Sequence, residues 1–167
     1  MSGGIDPLTR RQFVQQAGQV AMSATAVSTM AGRAVGQPAG DRKLRIGVVG
    51  GGFGSSFYWH EHPNCVVQAV SDLDPDRRNH LMKRYRCERS YESLEKLILD
   101  TQIDAVAIFT GAPDHARHAI LAMEAGKHVI VAVPAAQTLE DCQRLREVKE
   151  RTGRTYMMAE TSWYRAH

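Results

Sequence analysis

Residues 44–55 read LRIGVVGGGFGS, an apolar, β-branched run that passes directly into a cluster of glycines. Such a run is typical of a parallel strand that is covered on both faces. Glycines after the strand allow a tight turn and leave backbone N–H groups free for a phosphate. Gly50 and Gly52 match the first two glycines of the G-x-G-x-x-G pattern, whereas Ser55 stands at the third position and Gly54 comes one residue early. The stretch therefore predicts either a nucleotide-binding turn or an ordinary glycine turn.

A second apolar run, residues 66–71, ends at Asp72, which lies 20 residues after Gly52. At this spacing a dinucleotide-binding fold places an acid on the adenosine ribose. A carboxylate there accepts hydrogen bonds from the ribose hydroxyls and repels a 2′-phosphate, which favours NAD over NADP. Arg77 and Arg78 follow closely and weaken that preference, so NADP stays open. The alternative for Asp72 is an aspartate that only ends a strand.

Strand-like and helix-like segments alternate through the rest of the chain. This alternation predicts an α/β fold, a doubly wound parallel sheet with helices on both faces. The strands are expected at residues 44–49, 66–71, 88–91, 104–109, 128–131 and 156–159. The helices are expected at residues 55–61, 75–86, 93–99 and 113–125, and from 139 to near 153.

Composition limits the class of protein. The chain has 167 residues, 43% of them hydrophobic, which is enough for one ordinary domain and an appendage. Its net charge of +3, with no basic patch among aromatic residues, argues against nucleic acid. The cysteines, Cys65, Cys87 and Cys142, lack the spacing of a metal site or a disulfide framework. No uninterrupted apolar run reaches the length of a membrane span. We therefore expect neither a metal nor a nucleic acid as ligand.

Residues 1–40 resemble a twin-arginine export signal with a linker. Arg10 and Arg11 precede Phe13, and a weakly apolar segment rich in Ala, Ser and Thr follows, with Arg33 beyond it. A cleavage site before Gln37 is compatible with the small residues there. The prediction is a periplasmic or exported protein whose residues 41–167 form a dinucleotide-binding domain. The alternative is a short amphipathic or disordered tail with a chance arginine pair.

From Leu44 to about Tyr164 the chain resembles the nucleotide-binding domain of the Gfo/Idh/MocA oxidoreductases. The most characteristic piece is residues 124–129, which read EAGKHV. The other residues that carry the resemblance are the glycine turn at 50–54, Val70-Ser71-Asp72, Asp104-Ala105-Val106, Thr110 and His115. The resemblance implies a Rossmann-type sheet and an NAD(P) cofactor. Exported twin-arginine members of that family agree with the interpretation of residues 1–40.

The resemblance also implies where the cofactor would be contacted. Each expected contact lies near the end of a strand in the predicted sheet. The residues are Gly50, Gly52, Phe53 and Gly54 for the pyrophosphate, Asp72 for the ribose, and Thr110 and His115 for the nicotinamide side of the cleft. For His115 the alternative is a histidine on a helix surface.

The chain departs from the family pattern in two loops and in length. The usual Thr-Pro-Asn reads Thr-Gly-Ala at 110–112, and the usual Glu-Lys-Pro reads Ala-Val-Pro at 132–134. Val133 replaces the lysine that serves in proton transfer, and valine carries no proton to give. Lys127 is expected at the opposite end of its strand, where it cannot substitute. The chain also stops at His167, close to where the family's substrate domain begins, so we expect that domain to be absent.

Three interpretations of function remain. The first is an oxidoreductase, or the amino-terminal piece of one, that transfers a hydride between NAD(P) and a sugar or polyol. The second is a dinucleotide-binding module without catalysis, which the missing lysine and the missing second domain favour. The third is a domain that has kept the fold but lost nucleotide binding. In the first two, a homo-oligomer or a separate chain would complete the site.

Overall fold

A computed structural model describes residues 42–160, and the predicted signal segment at 1–40 lies outside them. Within the described residues, six strands form one all-parallel sheet in the order β3-β2-β1-β4-β5-β6. The doubly wound α/β fold expected from the sequence is confirmed. The strands are β1 (Leu44–Val49), β2 (Cys65–Ser71), β3 (Ser90–Tyr91), β4 (Ala105–Ile108), β5 (His128–Ala132) and β6 (Tyr156–Ala159).

The connections between strands contain the helices α1 (Pro75–Tyr85), α2 (Leu94–Leu97), α3 (His115–Glu124) and α4 (Leu139–Thr152). Their ends follow the local sequence. Asp74 caps α1 by accepting hydrogen bonds from the Asp76 and Arg77 N–H groups, and a proline occupies the first turn. Gly153 ends α4 in the left-handed conformation. No helix in the part of the chain that the structure describes is long and apolar enough to cross a membrane.

The predicted helix at residues 55–61 is wrong. The structure has two short 3-10 segments instead, Phe53–Ser56 and Trp59–Glu61, with Phe57 extended between them. The Phe57 ring stacks on Phe109, with centroids 4.5 Å apart, and on Trp59 at 5.3 Å. Aromatic side chains lose rotamer freedom in a helix, and here their packing on β4 replaces the helical turn.

Hydrophobic cores cover both faces of the sheet. One core packs α2, α3 and α4 against the sheet through residues such as Leu97, Met123 and Leu145. The other contains α1, through Leu81 and Tyr85. The Tyr85 hydroxyl donates to the carbonyl oxygen of Gly54 and, at 3.2 Å, to that of Phe57, and burial raises the pKa of Tyr85 to about 12. Helix α1 therefore holds the chain that follows the glycine turn.

Candidate cofactor site

A cavity of about 460 Å³ lies at the carboxyl ends of β1, β2 and β4. The strand order reverses between β1 and β4, and open parallel sheets bind ligands at such a point. Among the residues that line the cavity are Gly50, Gly52, Asp72, Arg77, Thr110 and His118. Residues that are distant in the sequence are thus brought together at one edge of the sheet.

Gly50 and Gly54 are needed for chain packing. Gly50 has φ +98°, and a Cβ atom there would lie 2.3 Å from the carbonyl oxygen of Phe109. Its N–H donates to the Ser71 carbonyl oxygen at 2.9 Å. Gly54 is buried, donates its N–H to the Gly50 carbonyl oxygen at 3.1 Å, and would bring a Cβ to 3.0 Å from the Phe109 ring. Gly54 is thus used inside the turn rather than on the cavity wall.

Gly52 is the residue of the turn that faces open space. It lines the cavity, and an added Cβ would meet no atom within 4 Å. Its N–H has no hydrogen-bond partner among residues 42–160. Phe53 is 52% exposed and packs edge-on against Phe57 and Phe109, so its side chain belongs to the aromatic cluster. Of the four turn residues expected at the pyrophosphate, the structure places Gly50 and Gly52 on the wall.

Asp72 joins the end of β2 to the glycine turn. Its carboxylate is buried and accepts from the Gly51 N–H at 2.6 Å, from the Asp74 N–H at 2.8 Å and from Arg77 Nε at 3.1 Å. A carboxylate offers about four acceptor positions. One position is therefore left for a ligand hydroxyl, and Asp72 has a structural role as well as a place on the cavity wall.

Two arginines, Arg77 and Arg78, lie beside Asp72 and make different contacts with it. Arg78 Nη1 donates to the Asp72 carbonyl oxygen at 2.7 Å, which commits it to the backbone. The Arg77 side chain is 56% exposed, lines the cavity and pairs with the Asp72 carboxylate. The Arg77 guanidinium is thus placed to attract a negatively charged group of a ligand in the cavity.

His115 lies behind the cavity wall. It is 2% exposed, with Nε2 at 2.9 Å from the Thr110 carbonyl oxygen and Nδ1 at 2.7 Å from that of Pro134. The ring therefore connects the loop after β4 to the loop after β5. This placement differs from the expected position beside the nicotinamide, and it does not match the helix-surface alternative either. Thr110 does line the cavity, as expected.

His118 is a cavity residue that sequence reasoning missed. Its Nδ1 lies 2.9 Å from Thr110 Oγ1, and its Nε2 lies 2.7 Å from Arg117 Nη2. Burial, reinforced by the neighbouring Arg117 charge, lowers the pKa of His118. The available signal was the i, i+3 spacing of His115 and His118, which puts both on one face of a helix.

The end of β5 carries no proton donor at the position where the resemblance implies a lysine. Val133 stands there and is 43% exposed. Lys127, at the other end of the strand, is buried and donates to the carbonyl oxygens of Asp100 at 2.7 Å and Ile103 at 2.9 Å. Lys127 thus lies at the end of the strand opposite the cavity, as expected, and that it cannot substitute for the lysine stays a prediction. Within residues 42–160 no group of three or more His, Cys, Asp or Glu side chains is placed to hold a metal ion.

The sheet order, the glycine turn after β1 and the acid after β2 define a dinucleotide-binding Rossmann domain. The sequence profile of the Gfo/Idh/MocA group, described as an oxidoreductase family with an NAD-binding Rossmann fold, matches residues 44–160. The chain belongs to this family.

Relatives with assigned names include inositol 2-dehydrogenase of Acidothermus cellulolyticus, which is 32% identical over 121 residues, or 70% of this chain. Among solved structures, the WlbA dehydrogenase of Chromobacterium violaceum, in complex with NADH and UDP-GlcNAcA, superposes with a TM-score of 0.70 at 26% identity over 78% of this chain. KijD10, a 3-ketoreductase of Actinomadura kijaniata solved with NADP and TDP-benzene, gives 0.65 at 25% identity over 70%.

The match covers only part of each relative. The chain spans 36% of the A. cellulolyticus enzyme, 39% of WlbA and 37% of KijD10. The shared part is therefore the nucleotide-binding domain.

Proposed function

We propose that this chain binds NAD(P) in the cavity and serves as the nucleotide-binding part of an oxidoreductase that acts on a sugar or polyol. The observation that carries the proposal is the Gly52 N–H, which has no hydrogen-bond partner within residues 42–160. Gly52 lines the cavity, and the space that a Cβ would occupy is open. The relatives named as inositol dehydrogenase, and those solved with NADH or NADP, support both the cofactor and the substrate class.

The residues present fit the cofactor at two of its groups. The Gly52 amide would bind the pyrophosphate, and the free acceptor position on Asp72 would take a ribose hydroxyl. The 3-10 segment after the turn, Phe53–Ser56, is too short to supply the field of a full helix. Phosphate binding would therefore depend on the Gly52 amide. When bound, the nicotinamide supplies or accepts the hydride, and the protein orients it.

We propose NAD as the preferred cofactor. The buried Asp72 carboxylate would repel a 2′-phosphate. The exposed Arg77 on the same wall would partly offset that repulsion, so NADP is expected to bind more weakly rather than be excluded. The related structures include both NADH and NADP complexes.

A second candidate function is dinucleotide binding without catalysis. It is favoured by Val133, which stands where the family resemblance implies a proton-transferring lysine and which cannot act as an acid or base. In that case the domain would act as a sensor or would need a homo-oligomer or another chain to complete the site. Turnover of cyclitols or sugars by the NAD-bound protein would separate the two functions.

The experiment that tests cofactor binding is calorimetric titration of the full chain with NAD and NADP. Gly52→Val should reduce NAD affinity by about tenfold or more, because the new side chain occupies the pyrophosphate position, corresponding to about 1.4 kcal/mol of binding free energy. Gly52→Ala should give a smaller loss. Thermal melts of both variants check that the fold is retained. Equal affinity of folded Gly52→Val and wild type would remove the glycine turn from the site.

We also propose that the protein is exported to the periplasm by the twin-arginine route. Support comes from the sequence of residues 1–40, which lie outside the described part of the chain. Replacing Arg10 and Arg11 by lysine should stop export of a reporter fused behind residue 40. Export of the lysine variant at the wild-type level by that route would contradict the proposal.

A further inference from the structure

Three side chains that line the cavity, those of Arg117, His118 and Thr110, form a continuous hydrogen-bonded chain. Arg117 Nη2 lies 2.7 Å from His118 Nε2, and His118 Nδ1 lies 2.9 Å from Thr110 Oγ1. Thr110 and His118 both line the cavity, and His118 is only 7% exposed. The direction of the hydrogen bonds along this chain can be assigned from the chemistry of its members.

Arg117 fixes the first bond. Its Nη1 donates to Glu95 at 3.0 Å, and its Nη2 and Nε donate to Asp114 at 3.2 and 3.3 Å. Two carboxylates thus hold the guanidinium in place and keep it beside His118. A guanidinium has five donors and no acceptor. His118 Nε2 must therefore be the acceptor, which means that this nitrogen carries no proton.

The second bond follows from the first. An imidazole without a proton on Nε2 carries its proton on Nδ1. Burial and the Arg117 charge both lower the pKa of His118, which agrees with a neutral ring. The charged or titratable groups that act on the ring are Arg117, Asp114, Glu95 and His115. The Nδ1–H then donates to Thr110 Oγ1.

The Thr110 hydroxyl is left with a proton to give. Its oxygen accepts from His118, and no acceptor for its own hydrogen is found among residues 42–160. We propose that Arg117 and His118 are positioning residues that make Thr110 a hydrogen-bond donor into the cavity, so that this wall selects a ligand with an acceptor oxygen. The inference rests on the proposed dinucleotide function for the ligand, but the hydrogen-bond direction does not depend on it.

The direction is tested by nitrogen NMR of the histidine rings in the full, ligand-free chain. His118 should show the Nδ1–H tautomer in the wild type, and Arg117→Met should move it toward the Nε2–H tautomer. Arg144→Met, an exposed arginine on α4, is the control and should leave the His118 signals unchanged. A wild-type His118 protonated on Nε2 would overturn the proposal, whether or not the protein binds NAD.

The role in binding is tested by calorimetry with NAD. Thr110→Val should weaken binding about three- to tenfold, the typical range for one lost hydrogen bond, whereas Thr110→Ser should keep wild-type affinity. Arg117→Met should weaken binding in the wild-type background but not in Thr110→Val. Equal affinity of folded Thr110→Val and wild type would contradict the role.

ADP-ribose, which lacks the nicotinamide, identifies the acceptor. An effect of Thr110→Val seen with NAD but not with ADP-ribose supports contact with the carboxamide oxygen, and an equal effect supports a phosphate or ribose oxygen. Failure of the wild type to bind either ligand would contradict the proposed function, whereas the tautomer measurement would still decide the hydrogen-bond direction.

Discussion

The loops that follow β1 and β4 line the same cavity, but one presents backbone to it and the other presents side chains. After β1 the wall is backbone, with Gly50 in the left-handed region and with Gly52, whose N–H has no partner within residues 42–160, among the lining residues. After β4 the wall is made of side chains, with Thr110 held by His118 and, behind it, by His115. One side offers the Gly52 N–H, in a turn whose conformation depends on the absence of a Cβ at Gly50. The other offers a hydroxyl whose direction depends on its neighbours.

This difference indicates which substitutions each wall of the cavity tolerates. A backbone wall fails when a side chain is added, and the failure is steric. A side-chain wall fails when a hydrogen-bond partner is removed, and the cost is an unpaired buried group.

The largest effect is expected at the backbone wall. Gly50→Ala should lower the free energy of unfolding by more than about 3 kcal/mol, because the left-handed φ strains alanine and its Cβ would clash with the Phe109 carbonyl oxygen. Gly52→Ala, two residues away, is the matched control and should change stability by less than about 0.5 kcal/mol. Urea denaturation measures both. Similar stability of the two variants would show that the turn is not constrained at Gly50.

The next effect is expected behind the side-chain wall. His115→Ala should cost about 2–4 kcal/mol, since it leaves the carbonyl oxygen that accepts the ring N–H without its partner and opens a cavity between the loops at Thr110 and Pro134. His80→Ala, an exposed position on α1, should be nearly neutral. A loss as small as that of the control would mean that His115 does not join the two loops.

Asp72 both holds the glycine turn and lines the cavity, so its replacement should change stability and binding. Asp72→Ala should destabilise the fold by about 1–3 kcal/mol, because the buried Gly51 N–H loses its acceptor. It should also weaken NAD binding and raise the ratio of NADP to NAD affinity, since the charge that repels the 2′-phosphate is gone. Calorimetry with both nucleotides measures the ratio, and Asp76→Ala, exposed in the first turn of α1, is the control. An unchanged ratio would remove Asp72 from the ribose site.

The smallest effect is a dependence of stability on pH. Burial lowers the pKa of His118 and of His128 below the usual 6.5, so below that pH the unfolded chain binds more protons than the folded one. The free energy of unfolding should therefore fall as the pH drops from 7 to 5. His118→Gln should flatten this slope. The effect of Asp104 on stability is separate, because its pKa of about 2 places that loss of stability at lower pH.

The sequence was a good guide wherever local chemistry decides. The strands could be located because both faces of a central parallel strand are buried, so apolar residues run without interruption. The start of α1 could be located from Asp74 and Pro75, since capping depends only on neighbours in the chain. Gly50 could be identified because its backbone conformation excludes other residues.

The expected helix at 55–61 failed for a non-local reason. Its aromatic residues suit a helix poorly, and what replaces the helix is the stacking of Phe57 on Phe109, a partner far along the chain. Likewise, the family resemblance implied that His115 lies in the cleft, whereas the structure puts His118 on the cavity wall. The two histidines lie on one face of α3, so which of them reaches the cavity depends on where the helix lies against the sheet, and that position is set by packing.

Residues 44–55, Asp72 and the alternation of elements were thus enough to determine a Rossmann-type sheet, the edge that carries the site and the backbone half of its wall. Only the tertiary structure decided the other half: the commitment of His115 to two carbonyl oxygens, the contact of His118 with Thr110, and the pairing of Arg77 with Asp72. The physical reason is that backbone conformation is restricted residue by residue, whereas the direction of a side-chain hydrogen bond depends on partners that only folding brings within 3 Å or so.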